Sequence, residues 1–594
     1  MKDFLKNVFA TMVGFMMIVL IMCIIGVISI VGMVASESAT TKLSDNSVFV
    51  ISLNGAMGER EPALDFISTI SGGGAQGLGL DNLTDAIAKA KDSKEIKGIY
   101  LEAGAFMPDT PASAEALRKA LVDFKKSGKW IVAYGDSYTQ MTYYICSVAD
   151  KVYINPQGML DWHGLGGTPY FLKDLLAKFG VRFQLAKVGI YKSAPETMTA
   201  DKMSEPNREQ TQAYMDGLWN QMLTDVSASR KVSKEQLNTY ADGMVALEES
   251  GKLVKMKLVD KVLYANEVKG EIKKMLKIDA DESINQVSLT EMKNLPATKK
   301  KDGDEIAVYY AYGDIVDEVA SMASGEHSIV GSEVCKDLDA LAADDDVKAV
   351  VLRVNSPGGS AFASEQIWHS VMQLKAKKPV VVSMGGYAAS GGYYISCAAN
   401  YIYAEPMTIT GSIGIFGMFP DFSGLLTDKL GVKFDEVKTN KHATFGTLSR
   451  PFNSDELNYL NAYIERGYNL FRKRVADGRK MSVDAVEKIA QGRVWLATDA
   501  KKVKLVDDFG GINEAVAKAA KLAKLDKYYT AAYPGTADSM EQFMKMLNGE
   551  SGGNYLDEQM RQALGEYYAP FMYLRNINRQ SAIQARLPYH IVIK

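Results

Sequence analysis

KAVVLRVNSPGG (348–359), SAFASEQIWHSVMQLKAKK (360–378), PVVVSMGG (379–386) and YAASGGYYISCAAN (387–400) follow one another without a break. The first reads as a buried strand running into a glycine turn. The second reads as a helix, the third as another buried strand, and the fourth as a helix, with a further strand in YIYAEP (401–406). Upstream, IAVYYAYGDI (306–315) reads as a strand, and a helix follows around Val330–Ala342. Apolar strands alternating with helices predict an α/β domain with a mostly parallel sheet.

Working outward, the same plan occurs earlier in the chain. KGIYLEAG (97–104) matches the first buried strand and SAEALRKALVDFKKSGK (113–129) its helix. WIVAYGDSYTQMTYYICSVADKVYINP (130–156) matches the strand, helix and strand that follow. Aligning Tyr143-Tyr144-Ile145 with Tyr393-Tyr394-Ile395 puts Gln140 opposite Ser390 and Lys192 opposite His442. The polar stretch NLPATKKKDGDE (294–305) reads as a linker between the copies. The expected organisation is one domain over 47–293, the linker 294–305, a second domain over 306–535, and a tail, 536–594, that ends in a strand-like HIVIK and has no assignable role.

From Thr11 to Ala35 the chain reads TMVGFMMIVLIMCIIGVISIVGMVA, without one charge. A helix of that length spans a hydrocarbon core of about 30 Å. A cleaved signal peptide would show an apolar region of roughly 7–15 residues and a small-x-small cleavage site. The run is too long for that, although Val34-Ala35-Ser36 offers a weak site. Lys2 and Lys6 precede it, and positive flanks stay in the cytoplasm. The expectation is a cytoplasmic 1–10, a transmembrane anchor over 11–35, and everything after Ser36 outside the cytoplasm.

With 594 residues, the chain is too long for one core, so at least two domains are expected. Its 68 basic and 71 acidic residues nearly cancel, which gives no electrostatic reason for a nucleic-acid partner. Cys23, Cys146, Cys335 and Cys397 form no C-x-x-C pair, and no H-E-x-x-H occurs, so metal catalysis has no support and no cofactor is called for.

Two segments of the second half carry chemistry. Asn355-Ser356-Pro357-Gly358-Gly359-Ser360 follows a buried strand, and its glycines allow a sharp turn that aims backbone N–H groups at a ligand. Ala388-Ala389-Ser390-Gly391-Gly392 opens a helix, where the field favours developing negative charge. The amides of Gly359 and Gly391 would form a two-donor oxyanion hole. Taken alone, Pro-Gly-Gly can be only a turn and Ser-Gly only a cap. Gly-x-Ser-x-Gly is absent, since Ala388 stands at the first glycine position, so this is not the α/β-hydrolase elbow. A serine nucleophile needs a base, and lysine serves where it is neutral, hence partly buried. Lys192 is the candidate in the first half, which lacks the serine; Lys441, beside His442, competes. A site split between the halves would explain the pattern, whereas the bland reading leaves Lys192 on the surface.

These segments resemble the signal peptide peptidase A (protease IV) family in its long two-domain form. The likeness runs from the anchor to about Lys527 and is strongest in RVNSPGGSAFASE, VVSMGGYAASGGYYIS, TGSIGIFG and GIYKSA. It implies two tandem ClpP/crotonase-like α/β domains after an N-terminal transmembrane helix. It implies Ser390 as acylated nucleophile, Lys192 as general base, Ser412 hydrogen-bonding the lysine amine, and Gly359 and Gly391 as oxyanion donors. It further implies a homo-oligomer, a tetramer for the long form, at the periplasmic face of the bacterial inner membrane, digesting signal peptides already released from secreted proteins. Two other readings stay open: an acyl-CoA hydratase or isomerase on the same fold, and a non-enzymatic membrane scaffold.

Overall fold

The structure is a computed structural model that describes residues 42–61, 77–295, 302–318, 327–535 and 583–587, with 6, 9, 12–18 and 21 near the N-terminus. The first half supplies strands β1 (Ser47–Gly58), β2 (Ile96–Pro108), β3 (Trp130–Gly135), β4 (Lys151–Ile154) and β5 (Arg182–Lys187). The second supplies β6 (Asp304–Tyr312), β7 (Val347–Ser356), β8 (Gly358–Ser360), β9 (Val380–Ala389), β10 (Ile409–Gly411) and β11 (Phe416–Asp421). The tail supplies β12 (Ile583–Arg586).

Each half builds its own sheet. In the first, β1, β2, β3 and β4 lie side by side in that order, all parallel. In the second, the order is β10, β9, β7, β6, again parallel, with Tyr528–Tyr533 parallel on the far side of β6. The reason is visible along β7. Val350, Leu352 and Val354 enter the core beneath the helices Gly331–Ala343 and Ala361–Lys377, while Ala349 and Val351 face Ala515, Val516 and Ala519 of the helix Ile512–Ala523. Successive side chains point to opposite faces, and both faces are covered, so the strand is apolar without alternation.

A third sheet was not foreseen. It runs Ser328–Val330, Asp314–Val316, β8, β12, β11, β5 and so takes strands from the first half, the second half and the tail. Strand β5 pairs antiparallel with β11 from Lys187↔Phe416 to Arg182↔Asp421, tying the halves together. The tail is therefore not merely an appendage: Ile583–Arg586 is a strand of the folded body, whereas HIVIK lies outside the described residues. A second correction concerns Ser390. The strand expected to stop at Gly386 continues to Ala389, and the following helix is short, Gly391–Ser396. Pairing of Tyr387, Ala388 and Ala389 with Ile409, Thr410 and Gly411 holds the extra residues in the sheet.

Of the expected anchor, residues 12–18 are helical, with Phe15 and Met16 exposed, and the rest of 11–35 apart from Ile21 lies outside the described residues. Among the described residues no helix is long and apolar enough to cross a membrane.

A buried ionic cluster also joins the halves. The Arg353 guanidinium donates to Glu59 (2.6 and 3.2 Å), to Ser383 Oγ and to the Met384 carbonyl, and Asn355 Nδ2 donates to both Glu59 and Asp109. Burial is the main cause that pushes the Asp109 carboxyl up to about 6. Removing one partner strands the other charge in the interior. Arg353→Met is expected to cost about 3–5 kcal/mol, read as a fall in the urea midpoint; a change within error would mean that the cluster contributes no net stability.

Candidate active site

Ser390 sits between the end of β9 and the helix Gly391–Ser396, with φ 54° and ψ −111°. A non-glycine residue in that region costs on the order of 1–3 kcal/mol and persists only where its surroundings fix it. Here the Ser390 N–H donates to the Gly411 carbonyl and its own carbonyl accepts from the Tyr394 N–H, both at 2.8 Å. The side chain makes no cap bond to the helix. A serine that only capped would turn its oxygen onto the helix amides; this one turns it elsewhere.

It turns to Lys192. The amine Nζ lies 2.7 Å from Ser390 Oγ, 3.0 Å from Ser412 Oγ and 3.1 Å from the Ser412 carbonyl oxygen, all within one chain. All three residues have no solvent exposure. Burial holds the Lys192 amine well below the ordinary lysine range, and no neighbouring charge is a cause of the shift. Glu196, the nearest acid in sequence, is turned away and accepts from the Ser204 N–H and hydroxyl and from Asn207 Nδ2. Lys441 is exposed and ion-pairs with Asp455, and His442 stands 4.0 Å from Glu456, so neither serves Ser390. The sequence alignment that set Lys192 opposite His442 thus does not describe equivalent sites.

Three residues that place Lys192 were missed. Gln210 Nε2 donates to the Tyr191 carbonyl and to Ser193 Oγ while its Oε1 accepts from the Val494 N–H, and Ser193 Oγ donates to Asn207 Oδ1. Asn207 and Gln210 belong to the helix Glu205–Arg230 and are buried, yet PNREQTQ carries no signal beyond ordinary helix polarity. The third is Gly492, with φ 81°, where an added Cβ would meet Lys192 Cβ and N at 2.6 Å. Gly492→Ala is therefore expected to shift the lysine and cut peptidase turnover by about tenfold or more, with a circular-dichroism spectrum like that of the parent; full activity would show that the loop absorbs the methyl freely.

The two candidate oxyanion glycines lie close by. Gly391 backs onto Gly358, where an added Cβ would come within 3.2 Å of the Gly358 Cα. Gly359 is drawn into the third sheet beside Ile315, and a Cβ there would meet the Ile315 carbonyl oxygen at 2.0 Å. Nothing larger than glycine fits that approach.

Comparison with known proteins gives a consistent result. The model of peptidase family S49 matches twice, at residues 123–279 and 372–526, and the Clp protease model matches residues 307–410. The chain is 37% identical over 477 residues to Protease 4 of Salmonella typhi, covering 79% of this chain and 76% of that one. It is 35% identical over 517 residues to Protease 4 of Haemophilus influenzae, covering 83% and 82%. It is 30% identical over 457 residues to the chloroplastic serine protease SPPA of Arabidopsis thaliana, covering 76% and 66%. Two α/β sheets in tandem, a matched family domain in each half and these long relatives lead to one conclusion: the chain belongs to peptidase family S49 and is a serine peptidase with tandem ClpP-like domains.

Proposed function

We propose that the chain is a Ser–Lys endopeptidase that degrades released signal peptides and other unfolded apolar peptides while anchored to a membrane. The observation that carries the dyad is the 2.7 Å contact of Lys192 Nζ with Ser390 Oγ in a fully buried setting. A neutral amine has two N–H donors and one lone pair. Ser412 offers two acceptors, its hydroxyl and its carbonyl oxygen, which leaves the lone pair for the Ser390 proton. An ammonium would have no lone pair to offer.

In this reading Ser390 Oγ bonds to the peptide carbonyl carbon as its proton passes to Lys192 Nζ. The oxyanion faces the amides of Gly359 and Gly391. Lys192 returns the proton to the leaving amine nitrogen, the C–N bond breaks, and an ester remains on Ser390. Water, giving its proton to Lys192, attacks that ester, and Ser390 departs with a proton restored. The uncharged run 11–35 serves as a single transmembrane helix with Lys2 and Lys6 in the cytoplasm, the two domains on the periplasmic side of a bacterial inner membrane, and four chains assembled together. The exposed apolar side chains of helical residues 12–18 support that placement.

The test uses the purified full chain and a synthetic signal peptide in detergent, followed by mass spectrometry. Internal cleavage is expected, and it should vanish after labelling of Ser390 by a fluorophosphonate. An intact peptide, with casein cleaved normally, would refute the substrate class. Extraction of the membrane fraction with alkaline carbonate should leave the chain in the pellet; release would refute the anchor.

A further inference from the structure

The strand β12 lies between two other strands of the third sheet. On one side it runs antiparallel to β8, with Gly358↔Arg586, Gly359↔Ala585 and Ser360↔Gln584 in register. On the other it runs antiparallel to β11, with Phe416↔Gln584 and Gly417↔Ile583. No described strand joins β8 to β11 except this one. Adjacent strands lie about 4.8 Å apart, so without β12 the two edges would face each other across a slot one strand wide. Both edges would present unpaired backbone donors and acceptors, which is the arrangement by which proteins bind an extended peptide as an added strand.

The slot leads to Ser390. A methyl placed on Gly358 would meet the Ala585 carbonyl oxygen at 2.0 Å and the Gly391 nitrogen at 2.8 Å, so the tail's carbonyl and the amide next to Ser390 border the same small space. The tail is held like a ligand. The Leu587 N–H donates to the Pro357 carbonyl at 2.9 Å, and Arg586 pairs with Asp314 at 2.9 Å. Ala585 and Leu587 are buried, whereas Ile583 and Arg586 are only half so. Leu587 joins the core cluster built mostly from the first half, which also holds Ala389 and Ile409 of the second, and Ala585 joins the cluster built mostly from the second half.

We propose that residues 583–587 are an internal occupant of the peptide-binding slot, holding the place of a substrate backbone, so that a substrate must displace them to reach Ser390. The proposal rests on Ser390 being the nucleophile. A tethered strand competes at an effective concentration on the order of millimolar. It therefore raises the apparent KM for short peptides and leaves kcat nearly untouched, because an occupant that has left does not affect the chemistry.

Three variants test it: deletion of residues 583–594 from the otherwise intact chain, Leu587→Asp, and Arg586→Glu, which sets like charges against each other at Asp314. The readouts are the rate of fluorophosphonate labelling of Ser390, the KM for a short fluorogenic peptide, and binding of a fluorescent SAIQARL peptide (residues 581–587) to the deletion variant. Faster labelling, a KM lower by about threefold or more, and competitive inhibition by SAIQARL in the deletion variant are expected. Where the parent is labelled but all three variants match it in rate and KM, the proposal fails and the nucleophile stands. Where no form is labelled, the assignment of Ser390 fails, and peptide binding alone decides whether the slot exists: saturable binding to the deletion variant supports it, and none overturns it. Should the deletion variant fail to fold, the two point variants carry the comparison.

Discussion

Ser390→Ala is expected to lower the turnover of an unfolded protein substrate by about 10⁴-fold or more, while thermal unfolding stays within a few degrees of the parent. The hydroxyl contacts Lys192 and, at 3.5 Å, the Gly414 carbonyl, and it caps nothing, so its loss removes chemistry and little packing. Alanine does inherit the unfavourable φ of 54°, but so did the serine, and the backbone bonds to Gly411 and Tyr394 remain to enforce it. Turnover within tenfold of the parent, measured on casein with contaminating proteases excluded, would remove Ser390 from the mechanism.

Lys192→Met should lose as much, and the double variant should lose no more than either single one, because a nucleophile and its base act as one unit. Methionine keeps most of the buried shape and lacks the nitrogen. The more specific signature is in pH. Free lysine, with a pKa of about 10.4, would be protonated at neutrality and unable to accept the Ser390 proton. Burial lowers the folded value well below that, so the neutral base appears, and acylation rises, as pH increases through the lowered value. The rate of Ser390 labelling should rise with pH to a plateau with a midpoint well below 10, and that dependence should disappear in Lys192→Met. A midpoint at the free-lysine value, or an unchanged profile in the variant, would assign the base elsewhere. The sign for stability follows from the same shift. The folded chain binds fewer protons here than the unfolded one, so the site's contribution is complete above about pH 10.4 and declines as pH falls toward the folded value.

The α/β character of both halves was legible because local patterns decide it: β7 and β9 are apolar on both faces, and each ends in a glycine-bearing segment. Ser390 was legible for the same reason, since its helix and strand adjoin it in sequence. Lys192 was reachable only through a resemblance, since in the sequence alone Lys441 competed with it. Nothing local distinguishes it from Lys187, which stands on β5 five residues earlier and whose amine lies 3.5 Å from the Lys192 carbonyl. What was not legible depends on long-range pairing. The third sheet collects segments from Arg182 to Arg586, and a three-residue strand such as β8 announces no partner. Strand β9 overran its expected end because Ile409–Gly411 pairs with it, and that strand's own sequence fixes no register. Nothing in the sequence singles out Gly492, because the atom that forbids a side chain there belongs to Lys192 in the other half.

The division of Lys192 and Ser390 between two domains has a consequence for how the enzyme comes into being. Synthesis finishes the lysine half first. If that half alone left the amine in water, the amine would be protonated at neutrality and unable to serve as the proposed base. On the proposed mechanism the serine half alone would lack the group that deprotonates Ser390. Under the proposed mechanism the newborn chain would gain activity only when the two bodies dock and dehydrate the lysine between them. The same logic works in reverse. On the proposed Ser–Lys mechanism, parting the halves where Arg353 meets Glu59 would rehydrate the lysine and end proteolysis.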